Sequence, residues 1–139
     1  MINNNESEFN AAFLKYQAGK DLIEVEIDFK NIVHQMPNHF AAWTCLAWLQ
    51  LLLKKNEEAL RSAKQAVKLN GQDAQARINL SLALLATKTK GVRDQVEIIK
   101  RMLIMIPDLE QELKSSIEDG FLRYPAWPEL KKIKNWIEI

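Results

Sequence analysis

The sequence predicts an all-α protein of about eight helices, arranged as antiparallel pairs stacked on one another. Three observations lead there. Apolar residues recur at the three-and-four spacing of amphipathic helices along most of the 139 residues. Only four Gly and four Pro punctuate the chain, and β-branched alternation is scarce. The sequence also repeats itself every 34 residues: Phe9, Trp43 and Arg77 share one phase, and Ala12, Leu46 and Leu80 another. Phe13, Ala47 and Ser81 share the next, and Tyr16, Gln50 and Leu84 a fourth. A fixed period of this length marks an array of units that each bury an apolar face by stacking on a neighbour.

The polar Met1–Asn5 segment reads as a frayed end. A first helix is expected from about Glu6 to Ala18, with Phe9, Ala12, Phe13 and Tyr16 on one side, and Gly19 breaks it. A second runs from about Asp21, carries Leu22, Val25, Phe29, Ile32 and Val33, and stops before Pro37. Asn38 is the expected cap of a third helix, Phe40 to Leu53. After the turn Lys54-Lys55-Asn56, a fourth helix carries Ala59, Leu60, Ala63, Ala66, Val67 and Leu69. Asn70-Gly71 is expected to end it, because glycine tolerates the left-handed conformation. Asp73 or a neighbour opens a fifth helix holding Ile78, Leu80, Leu82, Leu84 and Leu85, and Thr87–Gly91 forms the next turn.

A sixth helix, with Val92, Val96, Ile99, Met102, Leu103 and Ile106, ends at Pro107. Beyond it Leu109, Leu113, Ile117 and Phe121 recur every four residues and draw a single apolar stripe. Tyr124-Pro125 closes that element. A last short helix from about Pro128 places Leu130, Ile133, Trp136 and Ile137 on one face, with Lys131, Lys132 and Lys134 elsewhere.

The length suits one domain with a sizeable core. A net charge of +1 gives no global field to attract nucleic acid. Cys45 is the single cysteine, so no intramolecular disulfide forms, which suits a reducing compartment. No cationic start with a following apolar run marks a secretory signal. The longest apolar-rich stretch, Ala41 to Leu53, falls short of the roughly 20 residues that span a bilayer. A cytoplasmic protein with no membrane partner is expected.

The repeat pattern resembles the tetratricopeptide repeat family, whose units carry an aromatic, Leu and a small residue, Tyr, Ala, an aromatic, Ala and Pro. The unit Phe40–Asp73 matches best, with Trp43 in the aromatic slot, Leu46 and Ala47 in the Leu-small slots, and Ala59 and Ala66 in the alanine slots. Gln50 departs from Tyr, Ala63 from the second aromatic and Gly71 from Pro. The unit 6–39 places Phe9, Ala12, Phe13, Tyr16, Phe29, Ile32 and Pro37 in matching slots, with Val25 in place of the alanine. The unit 74–107 begins in phase with Leu80 and Ser81. Arg77 there replaces the aromatic, and two extra residues in Thr87–Gly91 bring Ile99 and Met102 back to their slots. Residues 108–139 read as a degenerate fourth pair or cap. The resemblance implies a single domain, a right-handed α-α superhelix of three repeats plus a C-terminal helical pair.

It also implies a concave groove, lined by the first helix of each pair, that holds an extended peptide or a helix of a partner. Projected onto this chain, the groove takes Asn10, Leu14 and Gln17, then Ala41, Thr44, Cys45, Trp48, Leu51 and Leu52, then Gln75, Ile78, Asn79, Leu82 and Leu85. Trp48 is the largest candidate anchor, since buried aromatics often dominate interface energy. The competing reading makes Trp48 and the leucines core. The third helix is apolar almost all round, and such a helix is buried on both faces. Its second face is covered by a partner, by the stripe Trp127, Leu130, Ile133, Trp136 and Ile137, or by a second copy of the chain.

A subset of the family clamps carboxylate tails with Lys, Asn and Arg; only Asn79 falls in a matching place, so an acidic chaperone tail is not expected. His34 and His39 lack the further ligands of a zinc site, which needs about four. Cys45 reads as a small packed hydrophobe. Glycines at 19, 71, 91 and 120 are too scattered for a phosphate loop. The basic residues sit at helix ends and exposed faces, whereas an RNA-reading repeat would want a basic groove. The expectation is a non-enzymatic scaffold without cofactor or metal that binds a protein or peptide, or alternatively self-associates.

Overall fold

In a computed structural model that describes residues 4–139, the chain forms eight helices and, among those residues, no strand. They are α1 (Asn4–Gln17), α2 (Leu22–Gln35), α3 (Phe40–Leu52), α4 (Asn56–Leu69), α5 (Ala74–Ala86), α6 (Val92–Met105), α7 (Leu109–Arg123) and α8 (Pro128–Trp136). Met1 to Asn3, part of the end expected to fray, lie outside the described residues, while Asn4 and Asn5 are already helical. Short connections fold α1 on α2, α3 on α4, and α5 on α6. The α5–α6 connection, 87–91, is two residues longer than the α3–α4 connection, 53–55.

Side chains cap three of the helix starts, those of α2, α3 and α5. The Asp21 carboxylate accepts the Ile23 N–H at 3.1 Å, and that of Asp73 accepts the Ala76 N–H at 2.9 Å. The third helix differs from expectation. It begins at Phe40, so its cap is His39, whose Nδ1 accepts the Ala42 N–H at 3.1 Å. Asn38 lies one residue too early to reach those amides. The Phe9 ring, 5.0 Å from the imidazole, stacks on it and fixes its orientation.

Gly71 does not end α4 through a left-handed backbone. The helix closes on an extended Asn70, φ −149°. Left-handed residues instead follow α3 and α5, at Lys54 (φ 61°) and Lys88 (φ 54°). Gly71 serves close approach: a Cβ there would lie 3.0 Å from Arg77 Nη2, and Arg77 Nε donates to the Gly71 carbonyl at 2.9 Å. Trp43, one period earlier, does the same, its Nε1 donating to the Pro37 carbonyl at 2.7 Å. The aromatic slot thus performs one task in both repeats, tying a helix to the turn six residues before it. Arg77 also donates to Gln95 of α6 at 2.9 Å.

Alanines let the helices approach closely: Ala42, Ala47, Ala59, Ala63 and Ala66 have no exposed surface. Phe29, Val25, Ile32, Leu46 and Leu49 fill the core between α1, α2 and α3. A larger core runs from α3 to the C-terminus and includes Ile78, Leu82, Ile99, Leu113, Ile117, Trp127, Leu130 and Ile133. Beside them Glu26 of α2, only 1% exposed, is bound by Lys55 at 2.7 Å and Lys30 at 3.3 Å. Gln50 links that carboxylate to Ser62 of α4.

The last two helices turn inward instead of adding a further layer. α8 packs against α5. α7 reaches across to α1, where Asp119 and Arg123 meet Tyr16. The two helices approach each other at Gly120, where a Cβ would lie 2.8 Å from Leu130 Cδ2 and 3.0 Å from the Trp48 ring. The chain's own C-terminus therefore covers the second apolar face of the stack. Trp127, Leu130, Ile133 and Ile137 are buried in doing so, while Trp136 stays 45% exposed.

Candidate functional site

Between the inner face of the stack and α7 lies a cleft of about 510 Å³. That falls within the roughly 300–1,000 Å³ typical of ligand sites. Phe13, Tyr16 and Gln17 of α1 form one end; Thr44, Cys45, Trp48 and Leu49 of α3 form the floor, with Phe29 of α2 behind them. Gln75 and Asn79 of α5 line the far side. Glu112, Ser115, Ser116, Asp119 and Arg123 hang over it from α7. The three-and-four spacing of the α7 positions follows from its amphipathicity, since Leu109, Leu113 and Ile117 bury the neighbouring stripe.

Two hydrogen-bonded chains hold α7 in place. In the first, the Trp48 indole N–H donates to the Tyr16 hydroxyl at 2.7 Å, and that hydroxyl donates to Asp119. Arg123 pairs with Asp119 at 3.2 Å, donates to the Tyr16 carbonyl at 2.8 Å, and lies 3.7 Å from the centre of the Tyr16 ring. Burial, and then the Asp119 acceptor, push the Tyr16 hydroxyl well above its ordinary value, so it remains a donor. In the second chain, Ser116 donates to Gln75 at 2.6 Å, Gln75 to Asn79 at 2.8 Å, and Asn79 to the Thr44 carbonyl at 3.0 Å. Burial pushes the Cys45 thiol up to about 12, which keeps it a neutral part of the floor.

Of the residues projected onto the groove from sequence, Thr44, Cys45, Trp48, Gln75 and Asn79 line this cleft, and Gln17 joins them. Trp48 is not a free anchor: it is 8% exposed, and its ring packs 5.1 Å from that of Trp127. Leu51, Ile78 and Leu82 are buried in the core they share with α8, and Leu52 and Leu85 pack partly buried against it. Leu14 stands 62% exposed and does not line the cleft. Asn79 donates to the Thr44 carbonyl and accepts from Gln75, which holds it in the hydrogen-bonded chain that reaches α7.

Sequence reasoning missed Phe13, Tyr16 and Phe29 as cleft residues, because the period marks them as core, and it did not single out Leu49. It also missed every α7 contribution. The one signal available was Asp119 and Arg123 at i and i+4, a pair that faces one way from a helix. Among the described residues no group of three or more His, Cys, Asp or Glu is placed to hold a metal. No helix among the described residues is long and apolar enough to cross a membrane.

Stacked helix pairs with an inward-folded C-terminus define an all-α helical-repeat fold. No protein-family model and no curated protein sequence matches the chain. Among solved structures it is similar to the Yersinia enterocolitica type III secretion translocator chaperone SycD, crystallised as an alternative dimer. The TM-score is 0.71 at 14% sequence identity, over 100% of this chain and 98% of that one. At that identity the likeness is one of fold.

Proposed function

We propose that the chain is a non-enzymatic cytoplasmic scaffold, with repeats of the tetratricopeptide class, that holds a segment of a partner protein in the cleft beneath α7. The cleft carries this reading. Its floor is apolar, Phe13 at its mouth remains 38% exposed, and its polar groups are largely committed to holding α7 rather than poised for chemistry. The similar fold of a type III secretion translocator chaperone agrees with such a role.

A photo-activated cross-linker placed at Phe13 tests it, with the same group at Arg93, exposed on α6, as control. In native cells, one protein captured at position 13 and not at 93 is the expected result. No capture, or the same proteins at both positions, would count against the cleft.

Self-association is the second reading, and exposed apolar residues at the end of α6 favour it: Ile104 is 85% and Met105 78% exposed. Sedimentation over rising concentration should then show a dimer that the I104K/M105K double variant loses. A monomer at every concentration would rule it out.

A further inference from the structure

Resting on the reading that the cleft holds a protein segment, we propose that this segment is apolar with one cationic side chain, Lys or Arg, that pairs with Glu112. The argument is one of remaining valences. Tyr16, Trp48, Asp119 and Arg123 are tied to one another, as are Ser116, Gln75 and Asn79. Thr44 donates its hydroxyl to the Phe40 carbonyl. Glu112 alone among the charged groups lining the cleft has no side-chain hydrogen bond or ion pair among the described residues. Its neighbour Glu110, by contrast, pairs with Lys114 at 3.2 Å. The uncommitted charge facing the cleft is therefore negative, and a carboxylate only accepts.

The chain also shows how a cation is seated here. Arg123 lies over the Tyr16 ring and against Asp119, one aromatic face and one carboxylate holding a guanidinium. Glu112, two turns before Asp119 on α7, adds a second carboxylate to the lining with no cation in place. Phe13, one turn before Tyr16 on α1 with its ring 6.4 Å from that of Tyr16, adds a second aromatic ring. Phe13 and the neutral Cys45 take the apolar flanks. An acidic ligand would meet Glu112 unscreened, so the cleft selects on sign of charge as well as on apolarity.

Three labelled peptides of equal length, with leucine and phenylalanine flanking a central Arg, Gln or Glu, test the proposal by fluorescence anisotropy on the full chain. The Arg peptide should bind about fivefold or more tighter than the Glu peptide at low salt, the scale of a partly exposed ion pair gained in one and a repulsion in the other. The preference should shrink as salt rises, vanish in Glu112→Gln and invert in Glu112→Lys. Glu112 is exposed, so both variants fold. Equal binding of the Arg and Glu peptides, or a preference that survives Glu112→Gln, overturns the charge selection while leaving the cleft as a binding site. Failure of all three peptides to bind, or binding indifferent to Phe13→Ser, overturns the cleft itself and the proposal with it.

Discussion

Two single residues show how local chemistry decides what the sequence pattern leaves open. Gly120 sits in mid-helix, where glycine costs about 1 kcal/mol relative to alanine, because its bare backbone admits Leu130 and the Trp48 ring. Gly120→Ala recovers that helix propensity but its Cβ crowds both the flexible end of Leu130 and the Trp48 ring, so the two effects oppose and the net change should be small. Gly120→Val adds a branched side chain against the rigid indole as well, and overpacking of that kind costs about 1–3 kcal/mol. A melt showing Gly120→Val as stable as wild type would mean that α7 does not close on Trp48. Glu26 makes a second prediction. Burial opposes its ionisation, but Lys55, Lys30 and Gln50 outweigh that and hold the carboxyl below its ordinary value. A depressed folded pKa contributes stability that is complete above the unfolded value and is lost as pH falls through the folded one. Urea unfolding of wild type should therefore weaken below about pH 4.5, the ordinary glutamate value. Glu26→Gln should be less stable by about 1–3 kcal/mol at neutral pH and lose less on acidification. An equal loss on acidification in the variant would place the acid sensitivity elsewhere.

At the scale of helices, periodicity made α1 to α6 legible, since each buries a stripe that repeats in register and ends at a breaker. Even the break in phase was readable, because two surplus residues between Leu85 and Val92 have nowhere to go but the turn. Caps were less so: His39 replaced Asn38, and Gly71 does not take the left-handed conformation expected of it at the end of α4. The placement of α7 was not legible at all. Its stripe says that it packs, but the contacts that bring it across to α1 join residues more than a hundred apart, with no spacing to announce them. Those contacts are few and polar, unlike the continuous apolar seams elsewhere. Removing the hydroxyl in Tyr16→Phe takes away the Asp119 donor and the acceptor of Trp48, the bond to the carboxylate being worth about 1.5–3 kcal/mol and the neutral one about 0.5–1.5 kcal/mol. Hydrogen exchange of the 109–123 amides should then speed up by about tenfold or more, while amides of α5 and α8 keep their wild-type protection. Uniform acceleration throughout would show that α7 opens only when the whole molecule unfolds.

For the whole molecule, the question is whether the C-terminus is an appendage on a three-repeat stack or a part of its core. An array gains stability repeat by repeat, and a terminal helix that only shields the last layer is dispensable in proportion to that layer. The burial here argues otherwise. Leu130 and Ile133 have no exposed surface, and Ile137 and Trp127 have almost none. They share one core with Trp48 and Ile78, residues of two different repeats. Burying a side chain of the Leu or Ile type contributes about 1.5–3 kcal/mol, so Leu130, Ile133 and Ile137 together supply about 5–9 kcal/mol before Trp127 is counted. The net stability of a domain is about 5–15 kcal/mol. Loss of α8 therefore removes a contribution as large as the margin by which the chain folds. It also leaves Trp48, Ile78 and Leu82 open to water. Deleting residues 126–139 should abolish the cooperative thermal transition, or drive the chain into oligomers that bind an apolar dye, with α5 losing amide protection along with the rest. A truncated chain that stays monomeric and melts cooperatively within a few degrees of wild type would show that three repeats suffice. In that case the inward fold of the C-terminus would contribute to the cleft alone.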